Sequence, residues 1–190
     1  MVDYHQLPAD LPVPEDDGAA DHLAGSGLPD VALRLAAGGY LNVRDLGEHA
    51  VVFVYPRTGT PGVESPDGWD QIPGARGCTP QSCAYRDRIA DFERLGIEVF
   101  GLSSQPLEEQ QEFQVREGIP YGLLNDSGFE LGEALRLPTF EASGVRLYRR
   151  LTFAVDRNRI SKVFYPVFPP DRNARDVLDW FTRRDRSGEE

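Results

Sequence analysis

The sequence is poor in the residues that most often carry chemistry. Its 190 residues include two cysteines, one methionine, two tryptophans and three histidines. The cysteines are Cys78 and Cys83, so there is no Cys-x-x-Cys unit, and His5, His22 and His49 lie far from both along the chain. A metal site of thiolates and imidazoles is therefore not expected. Positive charge is also short. The formal net charge is −11 and the pI is near 4.7, which opposes binding to nucleic acid or to an anionic membrane surface. No apolar run approaches the ~20 residues that a spanning helix needs, and the N-terminus lacks the basic-then-apolar pattern of an export signal. The expectation is a cytoplasmic protein, where a pair of cysteines seldom acts as a structural staple. Redox chemistry or plain burial remains for them.

The length suits one domain with a proper core. Residues 1–27, rich in Pro, Gly, Asp and Ala, read as a flexible acidic arm, with His5 and His22 as solvated surface residues; residues 28–190 read as the domain. Residues 31–35 and 40–43 flank Gly38-Gly39 and predict two strands joined by a turn. The run at 51–55 (VVFVY) is apolar at every position, as in a central strand covered on both faces. Residues 56–77 form a long Pro- and Gly-rich loop around Trp69, which either covers a site or packs its tryptophan on the surface of the domain. The spacing of Tyr85, Ile89, Phe92 and Leu95 predicts one amphipathic helix ending at Gly96. A buried strand at 97–102, a polar surface helix at 107–117, a short strand at 123–125 and a helix at 129–135 capped by Asp126 follow. Residues 139–148 read as loop, 151–155 and 160–165 as a hairpin around Asp156-Arg157-Asn158-Arg159, and 173–183 as a closing helix. This alternation is that of an α/β domain with a central mixed sheet flanked by helices.

The chemistry concentrates in Gly77-Cys78-Thr79-Pro80-Gln81-Ser82-Cys83-Ala84-Tyr85-Arg86-Asp87. Thr79 offers a capping hydroxyl, and Pro80 suits a first helical position because its missing N–H is an orphan there. Cys78 then stands at a helix N-terminus, whose partial positive charge favours thiolate over thiol. Residues five apart on a continuous helix have Cα atoms ~8–9 Å apart, whereas a disulfide needs less than ~7 Å. The pair can join only if the first turn unwinds, and Pro80 makes that cheap because its nitrogen gives up no hydrogen bond. Such a pair suits a cycle: Cys78 is oxidised to a sulfenic acid, the turn opens, and Cys83 condenses with it. The competing reading is two buried small hydrophobes, which fits Cys83 better, on the side of Tyr85 and Ile89.

A VVFVY strand, a proline, the Cys78–Asp87 helix start and a following IEVFGLS strand together resemble the peroxiredoxins, and among them the group of peroxiredoxin Q and the bacterioferritin comigratory proteins. The resemblance runs roughly from residue 28 to 181 and implies a thioredoxin-like fold. It also implies reduction of hydrogen peroxide and organic hydroperoxides without a cofactor, a thioredoxin-like reductant, and a monomer. Carried over by motif, Cys78 is the peroxidatic cysteine, Cys83 the resolving one, and Arg150, in Arg150-Leu151-Thr152-Phe153, the distal arginine. A cation facing the thiolate favours its charge and can hydrogen-bond the peroxide oxygens. Arg149 points to the other side of the strand as a surface charge. One departure stands out. Pro56-Arg57-Thr58-Gly59-Thr60-Pro61-Gly62 begins the group's Pro-x-x-x-Thr-x-x-Cys pattern, but Val63 occupies the cysteine position and Cys78 comes fifteen residues later. Either residues 63–77 loop out and return Cys78 to Pro56 and Thr60, or the active-site loop has been rebuilt. The former makes Thr60 a site residue. The alternative function is a redox sensor or thiol-disulfide interaction module on the same fold.

Overall fold

Residues 51–54 of the apolar run lie in β3 (His49–Val54), deep within a seven-stranded sheet, and Tyr55 follows directly. A computed structural model describes residues 4–187; residues 1–3 of the expected arm and 188–190 of the expected domain lie outside the described residues. The strand order is β2 (Tyr40–Asn42), β1 (Ala32–Leu35), β5 (Gly122–Asn125), β4 (Glu98–Ser103), β3, β8 (Leu151–Asp156) and β9 (Arg159–Phe164). β3, β4 and β5 run parallel, while β1 pairs antiparallel with β5 and β8 antiparallel with β3. The sheet is therefore mixed, as the element pattern predicts, with an antiparallel hairpin at each edge, and it agrees with the thioredoxin-like fold that the resemblance implies.

The absence of alternation in 51–55 has a direct cause, since both faces of β3 are covered. Val51, Phe53 and Tyr55 pack with Tyr85, Phe92, Phe113 and Val177. Those partners come from α1 (Cys78–Arg86), α2 (Ile89–Arg94), α3 (Leu107–Glu117) and α5 (Asn173–Ser187). Ala50, Val52 and Val54 face the other core, with Phe153 and with Leu131 and Leu135 of α4 (Glu130–Leu135). Ala20 and Leu23 of the N-terminal segment are buried in that second core as well. Fully burying side chains of this size contributes roughly 1.5–3 kcal/mol each, so the strand that ends beside the site is held on both sides. Among the described residues no helix is long and apolar enough to cross a membrane.

Four local expectations are corrected. The single helix expected to run to Gly96 is two helices: Arg88 N–H bonds to Tyr85 O at 3.1 Å, a tight three-residue turn, and α2 restarts from there. The break keeps Phe92 against Tyr85, with ring centroids 5.5 Å apart. Residues 139–148 are not loop but a separate hairpin, β6 (Thr139–Ala142) and β7 (Val145–Tyr148). Its turn, Ser143-Gly144, has positive φ at both residues (49° and 76°), the left-handed pair that closes two-residue hairpins. α3 is not a surface helix on all sides, because Gln110, Phe113 and Glu117 are buried. Gln110 Nε2 donates to Tyr55 Oη at 3.1 Å and Leu124 O at 3.2 Å, so polarity here marks an internal hydrogen-bonding role rather than exposure. Thr79 does not cap α1. That helix starts earlier, at Cys78, with Gly77 in the capping position.

Candidate active site

Cys78 is the first residue of α1 and is buried (3 % exposed). Gly77 makes this start possible. Its φ of 105° is a left-handed conformation, and a Cβ there would stand 2.4 Å from Pro170 Cγ and 2.9 Å from Leu7 Cδ2. The helix begins with Gln81 N–H bonded to Gly77 O at 3.0 Å, and Pro80, which has no N–H to offer, fills the first turn. Thr79, drawn into that turn, has a buried hydroxyl with no hydrogen-bond partner among the described residues.

Arg150 stands immediately before β8 and is also buried (3 % exposed). Its Nη2 lies 3.2 Å from Cys78 Sγ and donates to Ala75 O at 3.1 Å and Arg76 O at 3.2 Å. Nε donates to Gly74 O at 3.2 Å, and Nη1 donates to Gln81 Oε1. A planar fork of donors thus ties three consecutive carbonyls of the loop to the sulfur that follows them, which a single ammonium could not do. The guanidinium stabilises negative charge developing on the sulfur or on an oxygen bound to it. The fork is itself steadied by a second residue. Asn173 Oδ1 accepts from Gln81 Nε2 (3.0 Å), Tyr85 Oη (2.7 Å) and Thr152 Oγ1 (2.8 Å), linking α1, β8 and α5. No sequence motif pointed to Asn173; the network exists only once three distant segments meet. Arg149, as expected, faces the surface, where it pairs with Asp17 at 3.0 Å.

The segment 63–77 loops out and returns Cys78 to a small cleft, with about 30 Å³ of free volume, lined by Thr58, Gly59, Thr60, Trp69 and Tyr4 among others. Thr60 and Cys78 are therefore brought to one cleft in spite of the eighteen-residue separation. The wall is built by neighbouring elements. Arg57 pairs with Glu109 at 3.0 Å, Ser103 Oγ donates to Pro56 O at 2.9 Å, and Arg116 Nη2 donates to Gly59 O at 2.8 Å. Thr58, which the sequence reading passed over, is buried, accepting from Gln105 Nε2 at 3.0 Å. Trp69 is buried, lines the cleft and packs near Phe140 of the β6–β7 hairpin, with centroids 6.2 Å apart. The tryptophan thus does both things the sequence left open.

Cys83 sits one and a half turns along α1, also buried, and both cysteines are free thiols. Its Sγ donates to Glu117 Oε2 at 3.7 Å. Burial, with the Glu117 carboxylate adding to it against an opposing Arg86, pushes the Cys83 thiol up to about 11. The continuous helix between the two cysteines keeps their Cα atoms roughly 8–9 Å apart, so bond formation requires the first turn to open. The expectation that the histidines stand remote from the cysteines is corrected in space, because His5 reaches Glu117 at 3.6 Å and its donor atoms lie within 4.8 Å of those of Cys83 and Glu117. Glu117 is already engaged by Arg116 and, at 3.9 Å, by Arg86. With those cations on the only carboxylate, the trio is an ion-pair cluster and not a good home for a metal ion.

The chain is similar to known proteins in sequence and in fold. The family described as Redoxin matches residues 23–178. Chloroplastic peroxiredoxin Q of Oryza sativa subsp. japonica is 29% identical over 156 residues, covering 81% of this chain and 64% of the rice protein. Peroxiredoxin bcp1 of Schizosaccharomyces pombe is 30% identical over 146 residues, covering 75% of this chain and 66% of the yeast protein. The chain thus spans just under two thirds of the length of these relatives. Peroxidoxin BcpB of Mycobacterium tuberculosis shares the fold with a TM-score of 0.68 at 22% identity, covering 84% of this chain and 96% of that one.

Proposed function

This chain belongs to the redoxin family, and we propose that it is a thiol-dependent peroxidase of the peroxiredoxin Q type, acting on hydrogen peroxide and organic hydroperoxides. The observation that carries this reading is the geometry at Cys78: a buried sulfur on the first residue of a helix, 3.2 Å from a buried guanidinium, at the edge of a small cleft. The Cys78 thiolate attacks one peroxide oxygen, so that an S–O bond forms and the O–O bond breaks. The leaving hydroxide or alkoxide takes up a proton, and Cys78 becomes a sulfenic acid. Arg150 holds the sulfur and the oxygens on which charge collects, and the Thr60 hydroxyl faces the peroxide from the loop wall. The first turn of α1 then unwinds. Cys83 gives up its proton, forms the S–S bond, and the sulfenic oxygen departs as water. A thioredoxin-like dithiol takes the disulfide back to two thiols.

The same reading places the protein in the cytoplasm as a monomer, with no nucleic-acid or membrane partner. Two cysteines in a chain of 190 residues are too few for a framework of structural disulfides, and the charge of −11 repels polyanions. The test is stopped-flow oxidation of the reduced protein by hydrogen peroxide. Wild type should react far faster than free cysteine, Cys78→Ser should abolish the reaction, and Cys83→Ser should still consume about one equivalent, since its chemistry stops at the sulfenic acid. A wild-type rate no greater than that of free cysteine sinks the proposal.

A further inference from the structure

The residue that narrows the cleft comes from the N-terminal segment. Tyr4 lines the same cleft as Cys78, and its ring presses on Gly59: a Cβ on that glycine would stand 2.1 Å from Tyr4 Cε1. The phenol Oη donates to Val63 O at 2.8 Å, and the Arg76 guanidinium stacks over the ring 5.2 Å from its centroid. The ring is therefore held on three sides. The following residues secure its position, with His5 at 3.6 Å from Glu117 and Leu7 against Gly77. Although residues 63–77 separate them along the chain, Cys78 and the loop holding Thr58 and Thr60 line one cleft, and Tyr4 forms part of its wall. The cleft that remains beside Cys78 is small, about 30 Å³.

We infer that Tyr4 is a specificity-determining residue: its ring closes the cleft against bulky hydroperoxides, so that the protein favours hydrogen peroxide and other small hydroperoxides over aryl or branched alkyl ones. This rests on the peroxidase reading of Cys78. The selection is steric. A small peroxide fits beside the ring, whereas the substituent of cumene hydroperoxide must occupy the space the ring fills. A cavity wall of this kind discriminates by roughly 10- to 200-fold per methylene-sized misfit.

The test compares the second-order rate constants for oxidation of Cys78 by cumene hydroperoxide and by hydrogen peroxide. In Tyr4→Ala the ratio should rise about tenfold over wild type. Tyr4→Phe keeps the ring and should leave the ratio near that of wild type. Gly59→Ala gives an independent arm: glycine is not held there by a left-handed backbone, so the new methyl should push the ring aside and raise the ratio as Tyr4→Ala does. A ratio unmoved in both Tyr4→Ala and Gly59→Ala, in a protein whose Cys78 is rapidly oxidised, overturns this inference alone. A Cys78 indifferent to both peroxides in wild type overturns the peroxidase reading and this inference with it.

Discussion

Replacing Arg150 by methionine tests the centre of the site. Methionine nearly matches the length of arginine but lacks its donors and charge. The substitution strips a hydrogen-bond donor from Gly74 O, Ala75 O, Arg76 O and Gln81 Oε1, and removes the cation 3.2 Å from Cys78 Sγ. At a net contribution of about 1 kcal/mol for each of the three main-chain carbonyls, stability should fall by about 3 kcal/mol. For a chain of this size that corresponds to a Tm about 6–12 °C lower. The kinetic loss is separate. Removing one preorganised donor from developing charge costs about 10²- to 10³-fold in rate, and stopped-flow oxidation measured well below the variant's Tm should show a decrease of that order. Arg150→Lys should recover part of the rate, since it restores a cation, but little of the Tm, since one nitrogen cannot reach three carbonyls and a sulfur. If Arg150→Met is destabilised as expected but oxidises within about threefold of wild type, Arg150 only braces the loop, and the mechanism given for it is wrong.

Two more tests address the supporting structure. Asn173→Ala removes the shared acceptor of Gln81, Tyr85 and Thr152, leaving Gln81 Nε2 without that partner and Tyr85 and Thr152 with only the bond between them. Thermal unfolding should show a loss of about 3 kcal/mol, and peroxide oxidation should slow because Gln81 no longer steadies the Arg150 fork. Cys83 predicts a pH dependence. Its folded thiol titrates near 11, above the ~8.5 of a free thiol. The neutral form is therefore favoured by folding, and its contribution is fully present below about pH 8.5 and lost as pH rises through 11. Relative to Cys83→Ala, reduced wild type should lose on the order of 3 kcal/mol between those limits, as read from denaturant melts. At pH 8 iodoacetamide should alkylate Cys83 about a hundredfold more slowly than free cysteine, because so little thiolate is present. Alkylation at the rate of free cysteine would contradict the burial that sets the shift.

The positions of the reactive groups along the chain were legible from local rules. Gly77 through Asp87 announced a helix with a cysteine at its start, because helix signals depend on a few adjacent residues. The unbroken apolar run at 51–55 announced a strand covered on both faces for the same local reason, and both are present. The five-residue spacing of the cysteines on that helix already required unwinding, since helix geometry is the same in any protein. Where sequence reasoning erred, long-range packing prevailed. The cap position falls on Gly77 and not on Thr79, and Pro170 and Leu7, from elsewhere in the chain, leave room there for glycine alone. The hairpin at 139–148 forms where it seats Trp69, a residue seventy positions away. His5 meets Cys83, Asn173 gathers three donors, and Tyr4 narrows the Cys78 cleft, through contacts whose partners lie dozens of residues apart. The sequence alone determined which atoms are reactive and on which elements they ride. Only the tertiary structure decided what surrounds them, because burial, charge pairing and cleft shape belong to no single segment.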